Sequence, residues 1–367
     1  MSILSKILLA LLVVILLAVA SLAIAVSHDS ACGPSPTAAV LQPVKAAVYR
    51  CYGSADVVRI EKIAKPVPGP HGLLVRVHAS SVNPLDWHYL HGEPYLIRPM
   101  SGWGAPKDIL LGTDFAGTVE AVGALVTRFK PGDEVYGGGD GAFGEYLRIP
   151  ETGAVALKPA AVTFEQAAAV PVAGITALQA LRDVGQLRPG QKVLINGAGG
   201  GVGTFAVQIA KAFGGDVTAV TNTGSLELVR SLGADHVIDY TQQDFTQGTV
   251  KYDLIFDLSG TQPLSAYRRV LAPTGIYVPG GNTDKGRWLG PMVGFGKTLI
   301  VSKFVNQKLV PVSANLSAAD LTVLADLMQS GKLKPVIDRR YPLDQVADAI
   351  RYQETFHARG KVVVTVE

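Results

Sequence analysis

The chain has 367 residues, enough for two domains of ordinary size, each with its own hydrophobic core. Its 33 Lys and Arg against 30 Asp and Glu give a net charge of +3, which provides neither the basic stripe of a nucleic-acid binder nor an acidic disordered tail. The two cysteines, Cys32 and Cys51, allow at most one disulfide, so we expect cysteine chemistry to be irrelevant. These features predict a two-domain globular protein that does not bind nucleic acid.

The first segment of the chain is a membrane or export signal. Residues 7–26 form an apolar run interrupted only by Ser21. Twenty residues in a helix match a hydrocarbon core of about 30 Å, which favours a single-pass anchor at residues 1–27. The sequence Ala23-Ile24-Ala25 also fits a cleavage site, so a removed signal peptide is the alternative. Lipid modification of Cys32 is a third option, which Asp29 disfavours.

Two different patterns follow a linker at residues 28–43, which is rich in Ser, Ala, Gly and Pro. Short apolar runs separated by turn residues predict an all-β, barrel-like domain at residues 44–165. From 166 to 310, strands alternate with helices, which predicts a parallel, doubly wound sheet. Residues 311–367 return to a helix and a closing strand. The expected fold class is therefore α/β.

The strongest local motif is an apolar strand, a glycine-rich turn and an apolar-periodic helix at residues 193–211. The residues of the turn motif are Ala198, Gly200, Gly201, Val202 and Gly203. Small residues let the backbone approach a pyrophosphate, and the amides at the start of the helix bind it. The motif predicts a dinucleotide cofactor.

The end of the next strand indicates which dinucleotide is bound. An Asp or Glu there would bond the ribose 2′-hydroxyl and repel a 2′-phosphate, and residues 221–225 contain neither. Ser225 and Arg230 could instead bind a phosphate, although Arg230 could also be an exposed helix charge. The pattern favours NADPH.

Several segments together resemble the medium-chain dehydrogenase/reductase superfamily, most closely its zinc-free, quinone-oxidoreductase-like branch. These segments are residues 79–86, 111–119, 131–135, 198–203 and 232–235. The resemblance implies a GroES-like barrel domain, completed by residues 311–367, beside a Rossmann domain that binds NADP.

The residues expected to bind a catalytic metal are missing. In zinc alcohol dehydrogenases of the superfamily, a Cys and a His-Glu pair bind the metal, whereas Asn83 and Thr113-Asp114 stand at the matching positions here. Without thiolate or imidazole ligands, polarisation of a carbonyl by zinc is not expected. His88 and His91 are three residues apart, but a surface or pocket-lining role is favoured over metal binding.

The remaining chemistry is hydride transfer from NADPH to a lipophilic quinone or enone. The resemblance places Asn83 beside the nicotinamide and Tyr95 near the substrate. Tyr95 could donate a proton to the developing enolate or quinol oxygen, and the Asn83 amide could stabilise the same charge. The alternative for Tyr95 is an aromatic wall, and Asp86 is favoured as a structural hydrogen-bonding partner.

The resemblance also nominates further contacts to the cofactor. Thr176 would touch the cofactor, Tyr240 would line the adenosine phosphate site, and Gly281, within Gly280-Gly281-Asn282, would line the nicotinamide. Lys361 would reach a phosphate, with a solvated side chain as the alternative.

Residues 284–297 mix bulky apolar and basic side chains. Such a surface could rest on anionic lipid headgroups, although an element of a homodimer interface or a substrate lid is favoured. The rival function is a membrane-attached NADPH sensor or platform with little turnover.

The side of the membrane is left open. Lys6 precedes the apolar run and no Lys or Arg follows before Lys45, so the positive-inside rule places the domain outside the cytoplasm. NADPH, however, is available on the cytosolic or organelle-interior side. We favour the side of the membrane on which the domain has access to this cofactor.

Overall fold

The computed structural model describes residues 3–35, 41–281, 286–290 and 292–366. The strands are β1 (Pro43–Val48), β2 (Arg59–Ala64), β3 (Gly72–Val82), β4 (Asp114–Val122), β5 (Glu134–Gly138), β6 (Tyr146–Pro150), β7 (Ala154–Leu157), β8 (Lys192–Asn196), β9 (Asp216–Thr221), β10 (His236–Asp239), β11 (Tyr252–Asp257), β12 (Leu271–Pro279), β13 (Lys308–Leu309), β14 (Ile337–Pro342) and β15 (Lys361–Thr365). The α-helices are α1 (Ile3–Ser27), α2 (Pro84–His91), α3 (Arg98–Ser101), α4 (Phe164–Ala168), α5 (Pro171–Gln179), α6 (Gly201–Ala212), α7 (Leu226–Ser231), α8 (Leu264–Val270), α9 (Met292–Ser302), α10 (Ala318–Gln329) and α11 (Val346–Gln353).

Helix α1 has the length and composition of a membrane span. It has 25 residues, none of them buried, and its most apolar window has a mean hydropathy of 3.3. At 1.5 Å per residue the helix is about 38 Å long, enough to cross a hydrocarbon core. A signal sequence has the same properties, so both alternatives for this segment stay open.

The first domain is built on a seven-stranded sheet with the order β14-β15-β3-β4-β5-β7, in which β6 also pairs with β3. The long strand β3 pairs antiparallel with β4, β6 and β15. Its side chains at Leu73, Val75 and Val77 pack with Phe115 inside the barrel. The last two strands of the chain therefore close the first domain and bring Lys361 to its inner end.

The second domain is a parallel sheet with the order β10-β9-β8-β11-β12-β13. Helix α6 packs on it because apolar residues recur at helical spacing, and Phe205, Val207 and Ile209 are fully buried. The carboxyl ends of β8, β11 and β12 meet at one edge, where doubly wound sheets bind ligands. A barrel domain beside a Rossmann-type sheet confirms the predicted α/β fold class.

The first residues of the predicted linker at 28–43 are bonded to the first domain and do not form a flexible tether. Arg98 is fully buried and donates hydrogen bonds to the carbonyls of Val26 at 2.9 Å and His28 at 3.1 Å. Its guanidinium also forms an ion pair with Asp29 at 2.7 Å. A buried guanidinium needs such partners, and they fix the backbone that follows α1.

The expectation that cysteine chemistry is irrelevant is wrong. Cys32 and Cys51 form a disulfide, with their Cα atoms 4.7 Å apart. The bridge links the segment after α1 to the barrel domain. Disulfides persist mainly in oxidising compartments, and the side of the membrane on which the domain lies stays a prediction.

Candidate functional site

The glycine-rich turn lies between β8 and α6, and its shape depends on the absence of side chains. A Cβ at Gly203 would lie 2.2 Å from the carbonyl oxygen of Gly197, and one at Gly199 would lie 2.7 Å from Thr221 Oγ1. Ala198, in the first motif position, is fully buried. The turn therefore packs tightly against its own backbone and the end of β9.

The outer side of the turn fits an anionic group. Gly200 caps α6, and a Cβ there would have no atom nearer than 3.5 Å, so its surface is open. The first amides of a helix have no acceptor within the helix, and α6 presents those of Gly201, Val202 and Gly203 at this point. These residues fit the pyrophosphate of a dinucleotide.

The predicted adenosine-side residues occupy different environments. Ser225 is buried against the turn, where a Cβ on Gly199 would approach its Oγ at 2.9 Å. Arg230 is an exposed helix residue that forms an ion pair with Glu227. Tyr240 is 56% exposed, and its amide donates to the carbonyl of Thr221 at 3.0 Å. Ser225 and Tyr240 thus flank the end of β9, whereas Arg230 has a partner of its own.

Sequence reasoning missed two charged residues beside this turn. Arg359 Nη1 donates to the carbonyl of Gly224 at 3.1 Å, which brings a guanidinium to the turn that precedes Ser225. Asp239, at the end of β10, accepts a hydrogen bond from Thr223 Oγ1 at 2.6 Å. Neither residue lies within residues 221–225, where an acid or a phosphate-binding group was expected. Asp239 could have been found because β9 and β10 are successive parallel strands, so their carboxyl ends, Thr221 and Asp239, lie side by side.

A densely bonded polar group lies in the first domain, the Asp114 cluster, defined as Ser81, Asn83, Asp86, Asp114 and Lys361, all of which are buried. Asp114 Oδ2 accepts hydrogen bonds from Ser81 Oγ and Asn83 Nδ2, both at 2.8 Å, and lies 3.4 Å from Lys361 Nζ. Asp114 Oδ1 accepts the amide of Val172 at 2.9 Å. One carboxylate therefore joins the barrel domain to the first turn of α5.

Burial controls protonation within the cluster. It raises the pKa of the Asp86 carboxyl to about 7, although the Asn83 amide, which donates to it at 2.7 Å, opposes the rise. Burial also lowers the pKa of the Lys361 ammonium, an effect that Asp114 and Asp86 oppose. All five side chains of the cluster are shielded from solvent.

The solvated alternative for Lys361 is wrong, because its side chain is 3% exposed, whereas its contact with a cofactor phosphate stays a prediction. Its Nζ donates to Asn83 Oδ1 and to the carbonyl of Val82 at 3.2 Å, inside the Asp114 cluster. Its Cδ lies 3.3 Å from the position of a Cβ on Gly201. Lys361 therefore lies next to the start of α6.

Asn83 and Tyr95 have separate surroundings, and no hydrogen bond joins them among the described residues. The Asn83 side chain donates to Asp114 and accepts from Lys361, which leaves it 2% exposed. Tyr95 is 4% exposed, and the Trp288 ring packs edge-on against it at 5.1 Å. The Arg98 and Arg287 guanidinium groups lie 4.4 and 5.2 Å from its ring centre. Burial raises the pKa of Tyr95, although both arginines oppose the rise.

Of the other nominated residues, Thr176 lies in α5 and Gly281 lies at the carboxyl end of β12. Thr176 Oγ1 donates to the carbonyl of Val172 within α5 at 2.7 Å. Gly281 follows β12, and a Cβ there would lie 2.3 Å from the carbonyl oxygen of Leu258. Asn282 lies outside the described residues, as do positions 284, 285 and 291 of the mixed apolar and basic segment.

The residues present do not fit a catalytic zinc ion. The ammonium of Lys361 lies between Asn83 and Asp114, so a cation already neutralises that carboxylate. Zinc prefers thiolate, imidazole and carboxylate ligands, and the described residues contain no group of three or more His, Cys, Asp and Glu side chains able to hold a metal. His88 Nδ1 and His91 Nε2 contact the carbonyl of Glu93 and the carboxylate of Glu354 instead.

Comparisons with known proteins agree with this geometry. Residues 69–160 match the alcohol dehydrogenase GroES-like domain, and residues 232–364 match a family described as zinc-binding dehydrogenase. The 2-methylene-furan-3-one reductase of Solanum lycopersicum is 34% identical over 358 residues, covering 92% of this chain and 83% of its own. The chloroplastic NADPH-dependent alkenal/one oxidoreductase of Arabidopsis thaliana is 33% identical with the same coverage. The quinone oxidoreductase from Coxiella burnetii has a TM-score of 0.78 at 28% identity, covering 89% of this chain and 100% of that one.

Proposed function

Because the chain belongs to the medium-chain dehydrogenase/reductase superfamily, within its quinone-oxidoreductase-like branch of NAD(P)H-dependent oxidoreductases, we propose that it reduces a quinone or an α,β-unsaturated carbonyl with NADPH and without zinc. One observation supports a reaction without zinc. The Lys361 ammonium is bonded to Asn83 and Asp114, two of the residues that stand where zinc enzymes of the superfamily have their metal ligands.

The bound cofactor supplies a hydride, and the chain supplies position and a proton. The first amides of α6 and the open surface at Gly200 would hold the pyrophosphate. Asn83 acts as a positioning residue, since both polar atoms of its amide are bonded within the Asp114 cluster. Its predicted contact with the nicotinamide stays a proposal.

Tyr95 is the proposed proton donor to the enolate or quinol oxygen. The Arg98 and Arg287 guanidinium groups beside its ring stabilise the phenolate that donation leaves.

We expect the detergent-solubilised full chain to oxidise NADPH when quinones or enones are added, and to keep this activity after exhaustive chelation. The reason is that no zinc ion is needed where Lys361 already neutralises Asp114. Absorbance of NADPH and metal content are measured on the same samples. Stoichiometric zinc with loss of turnover on chelation contradicts the proposal, and NADPH binding without turnover on any acceptor supports the sensor instead.

Arg359 bonds the turn before Ser225, where we place the 2′-phosphate of NADPH, and its guanidinium would pair with that phosphate. Replacing Arg359 with methionine should therefore weaken NADPH binding roughly tenfold or more, because a charged hydrogen bond contributes about 1.5–3 kcal/mol. NADH binding should change little, since NADH lacks the 2′-phosphate. The dissociation constants of both cofactors are measured by fluorescence titration. Arg230→Met is the matched control, because Arg230 pairs with Glu227, and an equal effect of both variants would remove Arg359 from the phosphate site.

Tyr95→Phe should lower kcat by roughly 10- to 1000-fold, the effect of losing one proton donor or oxyanion contact, with the Kd of NADPH nearly unchanged. Steady-state kinetics and cofactor titration on the same preparation measure both. An unchanged kcat would show that the Tyr95 hydroxyl takes no part in the reaction and that the ring only packs between Arg98 and Trp288.

A further inference from the structure

An exposed apolar surface lies beside the end of α1. We call it the anchor-side face and define it as Leu96, Met100, Trp103, Trp288 and Leu289, which are 55, 77, 51, 48 and 46% exposed. Monomeric soluble proteins rarely expose contiguous apolar surface of this kind without a binding role. The position of α1 indicates what covers it.

Hydrogen bonds and a disulfide attach the end of α1 directly to the first domain. Arg98 bonds the carbonyls of Val26 and His28, and the amide of Ser30 donates to the carbonyl of Gly104 at 2.8 Å. The Cys32–Cys51 disulfide follows two residues later. The domain therefore cannot turn the segment 95–104 away from a membrane that contains α1.

Trp103 lies beside the helix itself. It lines an open groove with Ser21, Ile24, Ala25 and His28, residues of the last two turns of α1 and the position just beyond it. At 1.5 Å per residue, Ser21 is about 9 Å before the end of the helix, so Trp103 is level with the apolar segment. Tryptophan at that level is typical of the membrane interface.

Trp288 belongs to the same region through Tyr95. The Tyr95 ring contacts Trp288 on one side and the Arg98 guanidinium on the other, and Arg98 bonds the last residues of α1. The amide of Tyr95 also donates to the carbonyl of Arg287 at 2.8 Å. Residues 287–289 are thus held next to the segment 95–103.

We propose that α1 is kept as a membrane anchor and that the anchor-side face rests in the interfacial region of the lipid bilayer that α1 crosses. Helix α1 has no buried residue and requires an apolar environment, and Trp103 of the face borders Ala25 of that helix in their shared groove. The occupant is therefore lipid rather than a second copy of the chain.

The chain offers a built-in test because it has three tryptophans, two of them on the face. Trp87 is the control, since its ring packs against His88 and Phe356 inside the first domain. Full-length chains with pairs of Trp→Phe substitutions, each leaving one tryptophan, are reconstituted into phosphatidylcholine vesicles with bromine at carbons 6 and 7 of the acyl chain. Flotation of the vesicles verifies insertion.

We expect Trp103 and Trp288 to lose fluorescence roughly twofold or more in brominated vesicles, because an interfacial surface is buried about 5–10 Å into the headgroup and acyl boundary. Trp87 should keep its fluorescence, and vesicles should protect Trp103 and Trp288 from iodide. Equal fluorescence of all three residues in brominated and plain vesicles would overturn the proposal, as would a chain that does not float. Shielding from iodide in detergent together with a dimer in solution would assign the face to a second copy instead.

Discussion

Replacing Lys361 with methionine should lower the free energy of unfolding by about 3–5 kcal/mol, the usual cost of leaving a buried charge without its partner. Lys361 Nζ bonds Asn83 and Val82 and faces Asp114, and it is 3% exposed. Methionine has a similar shape but no donor, so the carboxylate of Asp114 loses its only cationic neighbour within the cluster. Guanidinium unfolding followed by tryptophan fluorescence measures the loss.

Two further variants separate charge from packing. Lys332→Met, on an exposed lysine, should change stability by less than about 0.5 kcal/mol. The double variant Lys361→Met with Asp114→Asn should recover part of the loss, because the unpaired charge is then gone. If Lys361→Met were as stable as the parent chain, the ion pair between Lys361 and Asp114 would contribute nothing to the free energy of unfolding.

The parts of the site that are contiguous in sequence could be predicted. The strand, the glycine turn and the helix at 193–211 lie within one stretch, so the periodicity of the apolar residues and the small residues between them define the geometry directly. The fold class followed in the same way from the change between short strands and alternating strands and helices.

Contacts between distant residues could not be predicted. Lys361 is 278 residues from Asn83 and 247 from Asp114, and a lysine before an apolar strand gives no local sign that it will be buried. Arg359 is 135 residues from Gly224 for the same reason. The segment after α1 resembled a tether because its composition is that of a linker, whereas its position depends on Arg98, 69 residues away from Asp29. Tertiary pairing overrode the local pattern in each case.

Gly203→Ala should weaken NADPH binding by roughly 100-fold, the effect of displacing a binding group by about 1 Å. The new Cβ would lie 2.2 Å from the carbonyl oxygen of Gly197 and 2.7 Å from the backbone of Ala198, so α6 must move away from β8. Because the clash is with backbone rather than a flexible side chain, we also expect a loss of about 1–3 kcal/mol in stability from overpacking.

Gly200→Ala is the matched comparison in the same turn, and its expected result is different. Gly200 has a φ of −84°, which alanine adopts freely, and a Cβ there has no neighbour closer than 3.5 Å. The free protein should therefore keep its stability, while NADPH binding falls because the methyl group occupies the surface that the pyrophosphate needs. Isothermal titration and thermal unfolding of both variants test the pair. If Gly200→Ala bound NADPH as tightly as the parent chain, the pyrophosphate would not contact the outer side of the turn, and the cofactor site would have to lie elsewhere along the sheet edge.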